Sequence, residues 1–352
     1  MSIEVTFIKA ARSLDQDHFD LTPAYTQAVF LAGKQVQINL DLNVLIAMER
    51  LPQDATIEHV KQEGLYPLYE ILNTGVVSVG AIGVNECPEW RVKNCHRAFE
   101  QFCHKFWPAH FNDPEASQRD VGENPPKKVV KFQDLSPETR IAYGVDYVSM
   151  LQIQNILKNF SNLTPEEKLE AYLYGVISLV DRVHAFDLEI AKYAFWDLKS
   201  SEIQRLPETT RKRLTAIKNN YVKIEKQQYN KGCLNSAMDI FLVLSGALAE
   251  DMGHDIDIDH RRKTEQWIAT QDHKLATVAR DMHSTQHEGL NTKRLAITRE
   301  PEMDAFPYWR NVDTISKSIM TQRETAGYQY LGVKETLAQI DKAVEHLEAS
   351  LG

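Results

Sequence analysis

The sequence predicts an α/β fold with a central, mostly parallel sheet, interrupted by a large all-helical insertion. Three observations carry this reading. Short apolar runs at 36–40, 76–82 and 266–270 have the length and β-branched content of buried strands. Helical periodicity follows each of them, which is the strand-then-helix order of a parallel sheet. Between the second and third runs, residues 91–231 carry Pro and capping residues at successive helix starts and no strand signal.

Taken in order, Val36 to Leu40 alternates and ends in Asp41-Leu42-Asn43, after which Val44 to Met48 opens a helix. Asp54 to Leu72 reads as one helix, with Ile57, Val60, Leu65, Leu68 and Leu72 at helical spacing and Gly75 as its stop. The run from Val76 to Ile82 is the second strand, with Glu86 just beyond it. A helix from Glu89 to Phe106 begins the insertion. Ser136-Pro137-Glu138 opens another, to Asn159. Thr164-Pro165-Glu166-Glu167 is a capping box that opens a long helix to Leu198, and Pro207-Glu208 opens a third to Tyr229. Asn235 to Ala249 is a nearly all-apolar helix carrying Asp239. Gln266 to Thr270 is the third strand, Asp272 follows it, and a helix runs from His273 to Met282. A last amphipathic helix covers Lys334 to Leu351. The expected division is 1–90 and 232–290 for the two parts of the α/β domain, 91–231 for the helical insertion and 291–352 for a C-terminal helical extension.

Composition narrows the function classes. The chain has 352 residues, 43% hydrophobic and 25% charged, which is ordinary globular usage. The longest apolar or small-residue run, Ile240 to Ala249, is well short of the roughly 20 residues a membrane-spanning helix needs. No signal peptide is visible, and four Cys do not make a disulfide framework, so a cytoplasmic chain is expected. The net charge of −9 excludes a globally basic coat for nucleic acid, but not a local basic groove.

Four acids share one grammar. Asp41 and Asp272 directly follow strands, Glu86 lies just past another, and Asp239 sits near the start of an apolar helix. Parallel strands present their carboxyl ends to one crevice, so acids distant in sequence can meet there. Several carboxylates in one crevice raise each other's pKa, and a hard divalent cation, Mg²⁺ or Mn²⁺, relieves that repulsion. Such a site activates water for phosphodiester hydrolysis.

Leu40-Asp41-Leu42-Asn43-Val44-Leu45-Ile46 resembles the first motif of PIN-domain nucleases. The stretch from Val76 to Glu86 is similar to their second, Ser236-Ala-Met-Asp239 to their third, and Ile268-Ala-Thr270-Gln-Asp272 to their fourth, in the family's order. The resemblance covers about residues 30–90 and 232–285. It implies a PIN-like three-layer domain and a Mg²⁺- or Mn²⁺-dependent nuclease acting on RNA or single-stranded nucleic acid, in a bacterial toxin or phage-defence setting. Asp41, Glu86, Asp239 and Asp272 would hold the metal. Asn43 would orient Asp41 or a bound water, and Thr270 would hydrogen-bond an acidic partner. The long gap between Glu86 and Asp239 departs from a compact member of the family.

Other features of the sequence admit plainer roles. Arg211, Lys212, Arg213, Lys218 and Tyr221 lie in the most basic stretch, and Arg261, Arg262 and Lys263 precede the fourth motif; both are candidates to hold a phosphate backbone. A solvated helix face is the plainer reading of the first. Asp181, His184 and Asp187 fall at three-residue spacing on one predicted helix and read as a solvated stripe. Asp255, Asp257 and Asp259 suggest calcium, but an EF-hand loop needs Gly and Glu where His260 and Gln266 stand. The six Cys and His between Cys87 and His110 lack the close Cys pairs of a structural zinc site and read as helix faces. Arg91 with His96, and Arg97 with His104, fit the loose spacing of HEPN ribonucleases, a metal-independent alternative. A further alternative is a non-catalytic helical adaptor with a decayed PIN-like domain, using the insertion or the C-terminal helix to bind a protein partner or a second copy. No membrane partner is expected.

Overall fold

The computed structural model describes residues 3–9, 20–81, 83, 89–107, 131–224, 228–251, 263–280, 282–286, 293–297, 299–327 and 331–352. It is mixed α/β and divides into two compact units, Met1–Val129 with Leu242–Leu295, and Val130–Phe241 with Ala296–Gly352. The first unit opens with β1 (Thr6–Lys9), α1 (Pro23–Leu31), β2 (Lys34–Leu40), α2 (Leu42–Glu49), α3 (Ile57–Gln62), α4 (Tyr66–Leu72), β3 (Val77–Gly80) and α5 (Glu89–Phe106). The second follows with α6 (Pro137–Asn159), α7 (Pro165–Val180), α8 (Ala185–Phe195), α9 (Ser200–Ile203) and α10 (Glu208–Ile217), which runs on as a π turn at Lys218–Val222. The divide falls within α11 (Tyr229–Asp251). Then come β4 (Lys263–Thr270), α12 (His273–Ala279), β5 (Met282–Gln286), β6 (Lys293–Ile297), α13 (Pro307–Ala326) and α14 (Val333–Leu351).

In the first unit a four-stranded open sheet runs in the order β1-β4-β2-β3. β2 is parallel to both β3 and β4, and β1 is antiparallel to β4 at the edge. The register sets Ile38 beside Trp267 and Leu40 beside Ala269. Val36, Ile38 and Leu40 are fully buried, and each such aliphatic side chain contributes roughly 1.5–3 kcal/mol. The alternate positions of β2 are polar, and Asn39 donates to Gln266 at 2.9 Å across the ladder. The region expected to be one helix over Asp54–Leu72 is two, α3 and α4, because Gly64 between them takes φ 71°, a left-handed conformation that glycine tolerates without strain.

α5 belongs to this unit and not to the helical block. Val92, Cys95, Phe99, Phe102 and Cys103 face one way at helical spacing and join the sheet's core, and Arg91 pairs with Glu49 of α2 at 2.6 Å. The two cysteines expected on a half-buried helix face are therefore fully buried core residues.

The second unit is helical. α6 is its centre, buried almost continuously from Tyr143 to Gln154. The predicted caps form: Ser136 accepts from the Thr139 N–H at 3.2 Å, and Thr164 and Glu167 satisfy each other's backbone donors. α14 packs along α6 through Ile340, Val344 and Leu347, and Arg140 holds Asp341 with both carboxylate oxygens at 2.7 Å. The C-terminal segment is therefore part of the helical unit, because its apolar stripe completes that unit's core.

The helix expected from Thr164 to Leu198 breaks at Asp181, which adopts φ 47° and closes α7. Arg323 of α13 binds the Asp181 carboxylate at 2.7 Å and also its backbone carbonyl, which holds this conformation for a residue that is not glycine. Among the described residues, no helix is long and apolar enough to cross a membrane.

Candidate functional site

Because β2 and β4 are parallel, the residues that leave them emerge at the same, carboxyl, end of the sheet. Asp41 follows β2, and its N–H donates to the Ala269 carbonyl at 3.0 Å, continuing the ladder by one step. It stands at the N-terminus of α2, yet its carboxylate does not cap that helix. Instead, Oδ2 accepts from the Thr270 hydroxyl and from Asn43 Nδ2, both at 2.5 Å. Asn43 also accepts from the Gln271 N–H at 2.7 Å, so one amide ties the start of α2 to the end of β4. Asp41 is only 3% exposed. Burial pushes its carboxyl above the ordinary aspartate value; the bonds from Thr270, Asn43 and the Leu42 backbone pull it back, and the nearby charge of Asp272 adds to the rise.

Asp272 lies two residues past β4. Its Oδ1 accepts from the Lys274 N–H at 2.7 Å and the Leu275 N–H at 3.1 Å, so this acid does cap α12. Gly83, beyond β3, presses on the same corner. A Cβ there would lie 2.6 Å from the Asp41 carbonyl carbon and 2.8 Å from the Leu40 oxygen.

The sheet end thus brings together Asp41, Asn43, Thr270 and Asp272. Glu86 lies outside the described residues. Asp239 is half-buried on α11, in the part of that helix assigned to the second unit. Arg261 and Arg262, like Asp255, Asp257 and Asp259, also lie outside the described residues. Lys263 is exposed at the first position of β4, at the opposite end of that strand from Asp272, because a strand of eight residues separates its two ends by roughly 25 Å.

The basic stretch of α10 does not form one solvated face. Arg211 and Lys212 are exposed, and Lys212 pairs with Glu208 one turn away at 2.6 Å. Arg213 is 2% exposed and pairs with Glu300 at 3.1 Å, while Tyr221 is wholly buried; neither is open to stack on a base or track a backbone. Lys218 is half-buried and donates to the Trp196 carbonyl at 2.8 Å.

The second unit holds a cluster where the residue spacing predicts a solvated stripe. Asp181 is drawn off to Arg323, but His184 and Asp187 turn inward to Asp146 of α6. His184 Nδ1 lies 2.5 Å from Asp146 Oδ1. These three side chains each offer a ligand atom within 4.8 Å of the others and could hold a metal ion; among the described residues they are the one group of three or more so spaced. Burial lowers the His184 pKa, but the Asp146 carboxylate more than offsets this and raises it above the ordinary value. Burial, and then the charge of Asp146, push Asp187 far up. The signal in the sequence was Asp146 itself, a lone acid inside the apolar helical stretch from Tyr143 to Ile153.

No protein-family model matches this chain, and no curated protein and no solved structure matches it.

The sheet end has a buried carboxylate, fixed donors and a second carboxylate beside it. The helical unit has two buried carboxylates and an imidazole.

Proposed function

We propose that the first unit is PIN-like and that the protein is a Mg²⁺- or Mn²⁺-dependent nuclease, cleaving phosphodiester bonds of RNA or single-stranded nucleic acid at the carboxyl end of its sheet. The observation that carries this is the setting of Asp41, which is buried, unused as a helix cap, fixed by Thr270 and Asn43, and within reach of the charge of Asp272. Two acids held near each other at a strand end suit a hard divalent cation, and oxygen donors suit Mg²⁺ or Mn²⁺.

Asp41 and Asp272 would hold the ion, whose chemistry there is to neutralise charge on the phosphate and to make water a competent nucleophile. Thr270 and Asn43 keep Asp41 Oδ2 in one position, so the carboxylate needs no reorganisation when the ion binds. Glu86 and Asp239 are the further ligands the four-acid expectation asks for, and Glu86→Gln and Asp239→Asn measure how far it extends. The deciding experiment is cleavage of labelled single-stranded RNA and DNA with Mn²⁺, Mg²⁺ or EDTA. Metal-dependent cleavage that fails in Asp41→Asn and in Asp272→Asn supports the reading; no cleavage of any substrate by the wild type, or cleavage that survives both substitutions, refutes it.

A further inference from the structure

The helical unit contains buried chemistry that this nuclease reading does not use. Asp146 and Asp187 are 0% and 1% exposed, whereas His184 keeps 38% of its side chain open. Neither oxygen of Asp187 has a hydrogen-bond partner among the described residues, and Oδ2 of Asp146 has none either. Leaving such acceptors unpaired costs about 1–3 kcal/mol each, more if charged. Ser149 and Tyr172 stand alongside with their hydroxyls 2.6 Å apart, and Ser149 offsets part of the rise in the Asp187 pKa.

Three plainer explanations fall short. A proton shared between the two carboxylates raises the Asp187 pKa and answers one oxygen of each acid, but it leaves the other oxygen of Asp187. The His184–Asp146 ion pair answers one acid and leaves the other. The N-terminus of α8 favours an acid at position 187, but the oxygens of Asp187 accept no backbone N–H. What remains is two buried carboxylates and an imidazole held close together, with His184 the partly exposed member.

We infer that Asp146, His184 and Asp187 form a second divalent-cation site, selective for a borderline transition ion of the Zn²⁺ class and independent of the sheet-end acids. An imidazole among the ligands favours Zn²⁺ and its neighbours over Mg²⁺ or Ca²⁺. With metal–ligand bonds of about 2.0–2.2 Å at tetrahedral angles, two ligand atoms sit roughly 3.4 Å apart. The present spacing, from 2.5 Å between His184 and Asp146 to at most 4.8 Å within the group, brackets that value, and side-chain shifts of about an ångström bring the three atoms to it. The ion takes the place of the hydrogen between His184 and Asp146. Three protein ligands leave a coordination position for water or a small anion.

The test uses the full chain in the Asp41→Asn background, which removes the sheet-end site, and titrates ZnCl₂ or MgCl₂ by calorimetry. The parent, Asp41→Asn with Asp187→Asn, and Asp41→Asn with His184→Gln are compared, with circular dichroism and thermal melts as controls on folding. The expected result is one Zn²⁺ per chain in the parent, with Mg²⁺ at least about tenfold weaker, and Zn²⁺ affinity down at least about tenfold in each double variant. Zn²⁺ then raises the melting temperature of the parent and not that of the double variants. No Zn²⁺ bound by the parent, equal binding by all three, or Mg²⁺ bound as tightly as Zn²⁺ overturns the inference. Loss of the nuclease reading leaves these outcomes unchanged, because the sheet-end site is silenced throughout.

Discussion

The hydroxyl of Thr270 donates to Asp41 Oδ2 at 2.5 Å, joining the ends of two parallel strands across 229 positions of sequence. Thr270 Oγ1 in turn accepts from Asn43 Nδ2 at 3.2 Å and from the Asp272 N–H at 2.9 Å. One threonine therefore ties the first acid, its amide neighbour and the backbone of the second acid into a single network. Thr270→Val keeps the shape and removes all three bonds. It should lower stability by about 1–3 kcal/mol in urea unfolding and reduce cleavage together with it. Unchanged stability would mean that the network does not hold Asp41.

Gly83→Ala should act on the same corner from outside it. The new Cβ would meet backbone atoms of Leu40, Asp41 and Leu42, which cannot swing away as a side-chain end can. A shift in the urea midpoint equivalent to about 1–3 kcal/mol is expected, with weakened Mn²⁺ binding. A variant as stable as the wild type would show that the β2–α2 junction yields easily.

The strand pattern was legible because β2, β3 and β4 are buried and read as short apolar runs with acids at their ends. Asn43 and Thr270 were legible for the same reason, since they stand at fixed offsets from Asp41 and Asp272. The inward turn of His184 and Asp187 was not legible. It depends on a left-handed Asp181 held by Arg323, a residue 142 positions away, and no Gly or Pro marks the break. The inward direction of Arg213 and Tyr221 was hidden too, because a count of basic residues carries no information about which side of a helix meets Glu300. The edge strand β1 is four residues long, too short for alternation to declare itself.

Glu300 offers a pH test in the helical unit. Burial works to raise its pKa, but the hydroxyls of Thr210 and Thr209 and the Arg213 guanidinium prevail and lower it. A folded-state value below the unfolded one contributes stability that is present above the unfolded value and fades as pH falls through the folded value. Glu300→Gln should therefore be less stable than the wild type at neutral pH, and the difference should shrink in acid, below the ordinary glutamate range. A difference independent of pH would assign the effect to packing alone.

The metal-independent alternative makes an opposite forecast for α5. Arg91 is engaged with Glu49 at 2.6 Å, and His104 is exposed on a different turn of the helix. His96→Ala and His104→Ala should retain metal-dependent cleavage at close to the wild-type rate. EDTA-resistant cleavage lost in either variant would move the active centre to α5.

The most direct test of the central claim is the initial rate of single-stranded RNA cleavage in Mn²⁺ by the wild type and by Asp41→Asn, a substitution that keeps the size of the buried side chain and removes its charge. The account predicts a fall of at least about a hundredfold with the fold intact by circular dichroism, and full inhibition of the wild type by EDTA. Cleavage by Asp41→Asn at the wild-type rate, or cleavage by the wild type in EDTA, would contradict it.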